Sequence, residues 1–184
     1  DDAVITGVAV AFDFNNAIDA VRIVGSDGAN LVYFPDEFGD ERAGSVRRFT
    51  DVFYAEGDVN EGRTPLLYAN AYTSAIAGAK ASSTFQYALD ARTNALVSLA
   101  NNAGELKTIG PVTVGGAPAD IVTAGGFDIV SPEEGEDHAL AILQMRGADT
   151  SGLYRIDLGS GEASLLADLG MTGFTGFAAS MRGM

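Results

Sequence analysis

The sequence predicts an all-β chain built from repeats, and three observations carry that expectation. Its dominant apolar period is two rather than 3.6. No segment keeps a helical period between an N-terminal and a C-terminal cap. One strand plan recurs three times along the chain.

The elements follow in order. Val8, Val10, Phe12 and Phe14 alternate with small or polar residues, which places them on one face of a first strand. Residues 20–24 form a second strand. Ser26-Asp27-Gly28 then supplies a turn, because Asp-Gly readily reaches the positive φ of a tight hairpin. Residues 31–34 make a third strand, and Pro35 ends it. Short apolar runs at 85–89, 95–99, 153–158 and 163–166 continue the pattern toward the C-terminus.

Three segments share one order: an aromatic-flanked strand, a polar turn, a second strand, a hairpin holding an aromatic residue, and an outer strand. The first runs from residue 9 to Phe49, the second from Leu67 to Gly110, and the third from Gly126 to Gly170. Residues 176–179 resemble the start of a fourth. The units divide at 4–60, 61–118 and 119–172, with a closing strand at 173–184, in a single domain over 1–184. The tightest internal match sets residues 87–95 against 154–162. Both read aromatic, any residue, aliphatic, Asp, two residues, Ser or Thr, then Gly or Asn. Such a hairpin suits the outer half of a four-stranded propeller blade, with Asp90 and Asp157 folding back on the turn amides. The expected fold is a propeller-like array of about three four-stranded blades plus the closing strand. A closed propeller needs about four to eight blades, so the array is expected to belong to a larger closed or oligomeric assembly. A β-sandwich is the structural alternative.

Composition excludes several functions. There is no cysteine among the 184 residues, hence no thiol nucleophile, disulfide framework or zinc-thiolate site. One histidine, His138, makes any Ser-His-Asp triad depend on it, and it lies in a charged turn where a surface imidazole beside carboxylates is expected. The formal charge of −14 opposes nucleic acid and anionic membranes. No apolar run approaches the ~20 residues of a membrane-spanning helix. The DDAVITGV start reads as a processed or truncated end, and the scarcity of lysine suits a secreted or periplasmic protein.

Certain residues carry a family resemblance. Residues 11–15, Asp19 with 21–24, and Gly28 with Asn30-Leu31 begin it. It continues at 54–60, 69–73, 101–106, 109–111, 126–129 and the hairpin at 153–161. The chain resembles a bacterial exported family known as a domain of unknown function, with propeller-like β repeats. The resemblance implies that fold and an exported setting, and no activity. Family members carry repeats upstream of the Phe-Asp-Phe-Asn segment, which here arrives at Phe12. This implies a match to the C-terminal portion of the usual domain.

Two groups of residues offer chemistry. Asp13, Asn15, Asn16 and Asp19 place four oxygen-bearing side chains close together, as a calcium site requires. The alternative is a turn in which Asp and Asn cap free amides. No cofactor is expected, with calcium possible. Asp13 and Asp128 occupy the same place in two repeats, with Tyr72 and Ala178 at the corresponding places elsewhere. They are either a carboxylate pair for acid–base work, with Tyr72 beside them, or a repeated structural device accepting backbone hydrogen bonds at a blade junction. The acidic runs at 36–41 and 133–137 read as solvated loops, with attraction of weak cations or an Arg-bearing partner as the alternative. Arg42, Arg47 and Arg48 read as internal charge balance or as a contact with an acidic neighbour.

The leading expectation is an exported, non-catalytic module for protein binding or assembly. Its partner is another protein chain or a second copy, met through residues 1–14 and 153–184. A propeller hydrolase using paired carboxylates or calcium is one alternative. A carbohydrate- or surface-binding module, with Tyr33, Tyr54, Tyr68, Tyr72 and Phe85 as stacking faces, is another.

Overall fold

The computed structural model describes residues 3–181. Among them are fifteen strands in three sheets and a single 3₁₀ turn, Asn101–Ala103. Asp1, Asp2 and residues 182–184, which the expected contact regions include, lie outside the described residues.

Sheet I is an antiparallel meander of β1 (Val10–Asn15), β2 (Ala20–Gly25), β3 (Asn30–Phe34) and β4 (Ser45–Arg48). The Asp-Gly turn between β2 and β3 has Gly28 at φ 92°, a conformation that favours glycine. Sheet II has the order β5 (Phe53–Tyr54), β9 (Glu105–Pro111), β8 (Ala95–Leu99), β7 (Gln86–Asp90) and β6 (Leu67–Tyr72). Sheet III has the order β11 (Ala117–Pro118), β10 (Thr113–Val114), β15 (Glu162–Asp168), β14 (Gly152–Ile156), β13 (His138–Met145) and β12 (Ile121–Val130).

The linkers between sheets are structured. Segment β5 pairs in parallel with β9, and β10 pairs in parallel with β15. The chain therefore lies along the outer edge of the sheet it is about to build before entering that sheet's first strand. An edge left bare invites pairing with other chains, and these two edges are covered. Consequently residues 53–54, within the unit 4–60, belong to sheet II. Residues 113–118, within the unit 61–118, belong to sheet III.

Strand β6 packs between β1 and β12. Its small side chains Ala69 and Ala71 meet Phe127, Ile129, Ala139 and Leu143 in the largest apolar cluster. A second cluster joins sheets I and II through Val24, Leu67, Ala88, Val97 and Leu106. Among the described residues no sheet covers the equivalent outward face of sheet I: Phe12 is 64% exposed and Phe14 62%, with Val10 and Val46 also exposed. The three sheets form an open stack, not a closed propeller. Residues 176–179 form no strand. They belong to a strap laid along β12, where Gly125 N–H donates to the Phe174 carbonyl at 2.7 Å.

Candidate functional site

Strands β1, β6 and β12 and the strap line a cavity of about 390 Å³. Asp13 and Phe14 of β1, Tyr68 and Asn70 of β6, Asp128 of β12 and Phe177 of the strap contribute to its wall. A second cavity of about 350 Å³ also borders Asp13 and Asp128, so the two carboxylates stand between two spaces.

Asp13 and Asp128 have the same bonding. The Asp13 carboxylate accepts Phe14 N–H at 2.8 Å and, across the sheet junction, Tyr72 N–H at 2.6 Å. The Asp128 carboxylate accepts Ile129 N–H at 2.8 Å and, from the strap, Ala179 N–H at 2.6 Å. Each aspartate thus ties its own strand to the next segment of chain. Burial pushes the Asp13 carboxyl up to about 7, against two backbone hydrogen bonds that lower it, and the neighbouring Asp128 charge adds to the rise. Burial also raises Asp128, opposed by its two backbone hydrogen bonds.

A family model described as a domain of unknown function, DUF4394, matches residues 2–178. The chain belongs to the DUF4394 family. The resemblance implied a match to the family's C-terminal portion; what is shown is coverage of nearly the whole chain. Neither the curated proteins nor the solved structures contain a match.

In this DUF4394 chain Tyr72 is the partner of Asp13, not its counterpart. Its N–H meets the Asp13 carboxylate, while its phenol donates to Asn101 Oδ1, in the 3₁₀ turn between β8 and β9, at 2.8 Å and accepts from Arg22 Nε of sheet I at 3.3 Å. The Ala179 N–H serves Asp128 in the same way, as donor. Tyr72 is 1% exposed and Tyr54 and Tyr68 are buried, so none of the three offers a stacking face; Tyr33 and Phe85 are exposed.

The four residues of the calcium reading each have partners within the protein. Asn15 Oδ1 accepts Ala17 N–H and the Thr84 hydroxyl. Asn16 Nδ2 donates to the Ser74 carbonyl, and Asp19 pairs with Lys80 at 2.8 Å. Asp13 is held by its two amides. No group of three or more His, Cys, Asp or Glu side chains poised for a metal occurs among the described residues.

Several other charged residues have local partners. His138 sits 3.5 Å from Glu136 at the surface. Arg42 pairs with Asp40 at 2.6 Å and lies over the Phe34 and Phe38 rings, and Arg48 pairs with Asp51. Glu134 accepts Ser82 and Ser83 amides, which binds the 133–137 run to the loop before β7.

Two sets of residues were not singled out from the sequence. Arg22, 3% exposed, donates to Asn30 Oδ1 and Asn102 Oδ1, each at 2.8 Å. Asn70 and Gln86, each 1% exposed, have amide groups without a protein partner. The signal for Arg22 lay in its phase: it alternates with Ala20 and Val24, on the inward face of β2.

Proposed function

We propose that this chain is a set of propeller blades that works by assembly with other protein, in an exported setting and without catalysis. Its three sheets are read as successive blades, and the strap along β12 as the innermost element of a further one. The observation that carries this reading is the exposed face of β1. Phe12 and Phe14 stand out from sheet I, while the corresponding faces between sheets I and II and between II and III are packed. A contiguous apolar face of this kind marks an interaction site.

The occupant is a further sheet of the same repeat type, and the count of sheets favours a second copy as its source. Three sheets from each of two copies make six, inside the range of about four to eight at which propellers close. Two identical head-to-tail contacts would close such a ring with two-fold symmetry. The net charge of −14 resists indiscriminate association, and salt screens it beyond about 8 Å, so a close apolar contact stays accessible.

Both aspartate carboxylates are engaged by backbone amides, which weighs against a nucleophile or general base. The burial of Tyr54, Tyr68 and Tyr72 weighs against a sugar-stacking surface. Light scattering at micromolar concentration tests the assembly. A dimer that Phe12→Glu with Phe14→Glu converts to folded monomer supports it, and a compact wild-type monomer overturns it.

A further inference from the structure

The strap lies on β12 as β6 lies on β1. Ala179 N–H of the strap donates to Asp128, and Tyr72 N–H of β6 donates to Asp13, each at 2.6 Å. A Cβ at Gly126 would sit 2.5 Å from the Phe177 nitrogen, so backbone lies directly against backbone. The strap thus takes the place that the first strand of a fourth sheet would occupy. Its sequence suits that place, since Phe177 precedes Ala178 as Phe12 precedes Asp13 and Phe127 precedes Asp128. Phe127 is buried in one cluster with Ala69 and Ala71 of β6, whereas Phe12 is exposed.

The strap is also weakly held. Strand β6 is backed by β7, but among the described residues no strand pairs with the strap. Its bonds to β12 among those residues are the Phe174 carbonyl with Gly125 N–H and the Ala179 amide with Asp128. Gly173, at φ 82°, supplies a bend where the strap begins. A segment with few bonds and an exposed backbone opens at low free energy.

We propose that the strap is a stand-in for β1 of a second copy: it covers the face of β12 on which that strand docks, and it leaves when the ring closes. This rests on the assembly described above and adds where the second copy binds and what it displaces. An incoming β1 presents Phe12 in the place of Phe177 and brings β2, β3 and β4 behind it. Its exposed apolar face gains a cover that the strap alone cannot supply. Each of the two contacts in the ring needs one open strap. Apparent affinity falls by the open fraction once per contact, so a strap that opens tenfold more often tightens the dimer about a hundredfold.

Hydrogen exchange of the whole chain below and above its dimerisation concentration tests this, read at the Ala179 amide beside light scattering. The amide should be protected in the dilute monomer and exchange about tenfold faster or more in the dimer. In Phe12→Glu with Phe14→Glu it should stay protected at every concentration. Phe177→Ser loosens the strap without altering β1 or β12, so its dimer dissociation constant should fall about tenfold or more. A dimer in which Ala179 stays protected, or whose affinity Phe177→Ser leaves unchanged or weakens, overturns this inference and leaves the assembly standing. Absence of any dimer overturns both. The wild-type exchange decides the matter even if a variant fails to fold.

Discussion

Asp13 and Arg22 stand directly opposite each other in the β1–β2 register and do not bond to one another. Asp13 turns to the backbone of β6, and Arg22 turns to Asn30, Asn102 and the Tyr72 phenol. An acid and a base that would neutralise each other as neighbours are spent separately on the junction between sheets I and II. The carboxyl is left without a cation and rises. The guanidinium is left without a carboxylate and is held by neutral oxygens.

For Asp13 the sign of the pH effect is definite. Its folded-state value of about 7 lies above the ordinary 3.8. Folding therefore binds a proton, and this contribution to stability is full below about 3.8 and lost as pH rises through about 7. The loss is on the order of 2–4 kcal/mol. Urea unfolding at pH 5 and pH 8 should show the wild type weaker at pH 8, and Asp13→Asn should flatten the difference. An unchanged pH slope in the variant would assign the effect to another group.

Tyr54→Phe should cost about 1–3 kcal/mol, because it strips a donor from a fully buried carboxylate. The Tyr54 hydroxyl donates to Asp90 Oδ2 at 2.6 Å, while Asp90 Oδ1 collects the amides of Leu66, Arg92 and Thr93. Asp90 is 0% exposed. The loss should appear as a lower urea midpoint with an unchanged slope.

Gly126→Ala should lift the strap from β12. A Cβ at Gly126 would sit 2.5 Å from the Phe177 amide nitrogen and 2.8 Å from the Gly176 carbonyl carbon, both backbone atoms that cannot swing aside. Hydrogen exchange at the Ala179 amide, now bonded to Asp128, should accelerate in the variant, and proteolysis near 173–179 should quicken. A protected Ala179 in folded Gly126→Ala would contradict this packing.

Chelator should leave the melting temperature unchanged. Asn15, Asn16 and Asp19 each bond to a different partner, and removing an ion destabilises only a fold that bound it. A fall of many degrees in EDTA, reversed by calcium, would return these residues to a shared site.

Much of the fold was legible because alternation is a local property. Strands β1, β2, β3, β7 and β8 lie within a residue or two of the runs read from the sequence, and Asp90 and Asp157 fold back on their turn amides. The two-residue strand β5 was not legible. Its pairing partner β9 lies some fifty residues ahead, and two residues carry no period. The equivalence of Asp13 and Asp128 was visible in Phe-Asp-Phe and Phe-Asp-Ile. That Tyr72 supplies the amide bonded to Asp13, rather than a matching side chain, depends on how β6 docks against β1, which spacing alone does not encode.

Arg22 provides the last prediction, in which the order of two variants matters more than either size. The side chain is 3% exposed, bonds to two asparagine carbonyls and a phenol, and lies 5.6 Å from the Phe49 ring centre. Lysine keeps the charge but cannot span these partners, since one ammonium replaces a planar fork of fixed donors. Methionine removes the charge and leaves neutral oxygens unpaired. A buried charge with too few partners costs more than its apolar replacement. Arg22→Lys should therefore destabilise by about 2–4 kcal/mol and by at least as much as Arg22→Met. Urea midpoints for the two proteins decide the order. A lysine variant clearly more stable than the methionine one would mean that water reaches the junction, and that Arg22 is solvated there rather than held by Asn30, Asn102 and Tyr72.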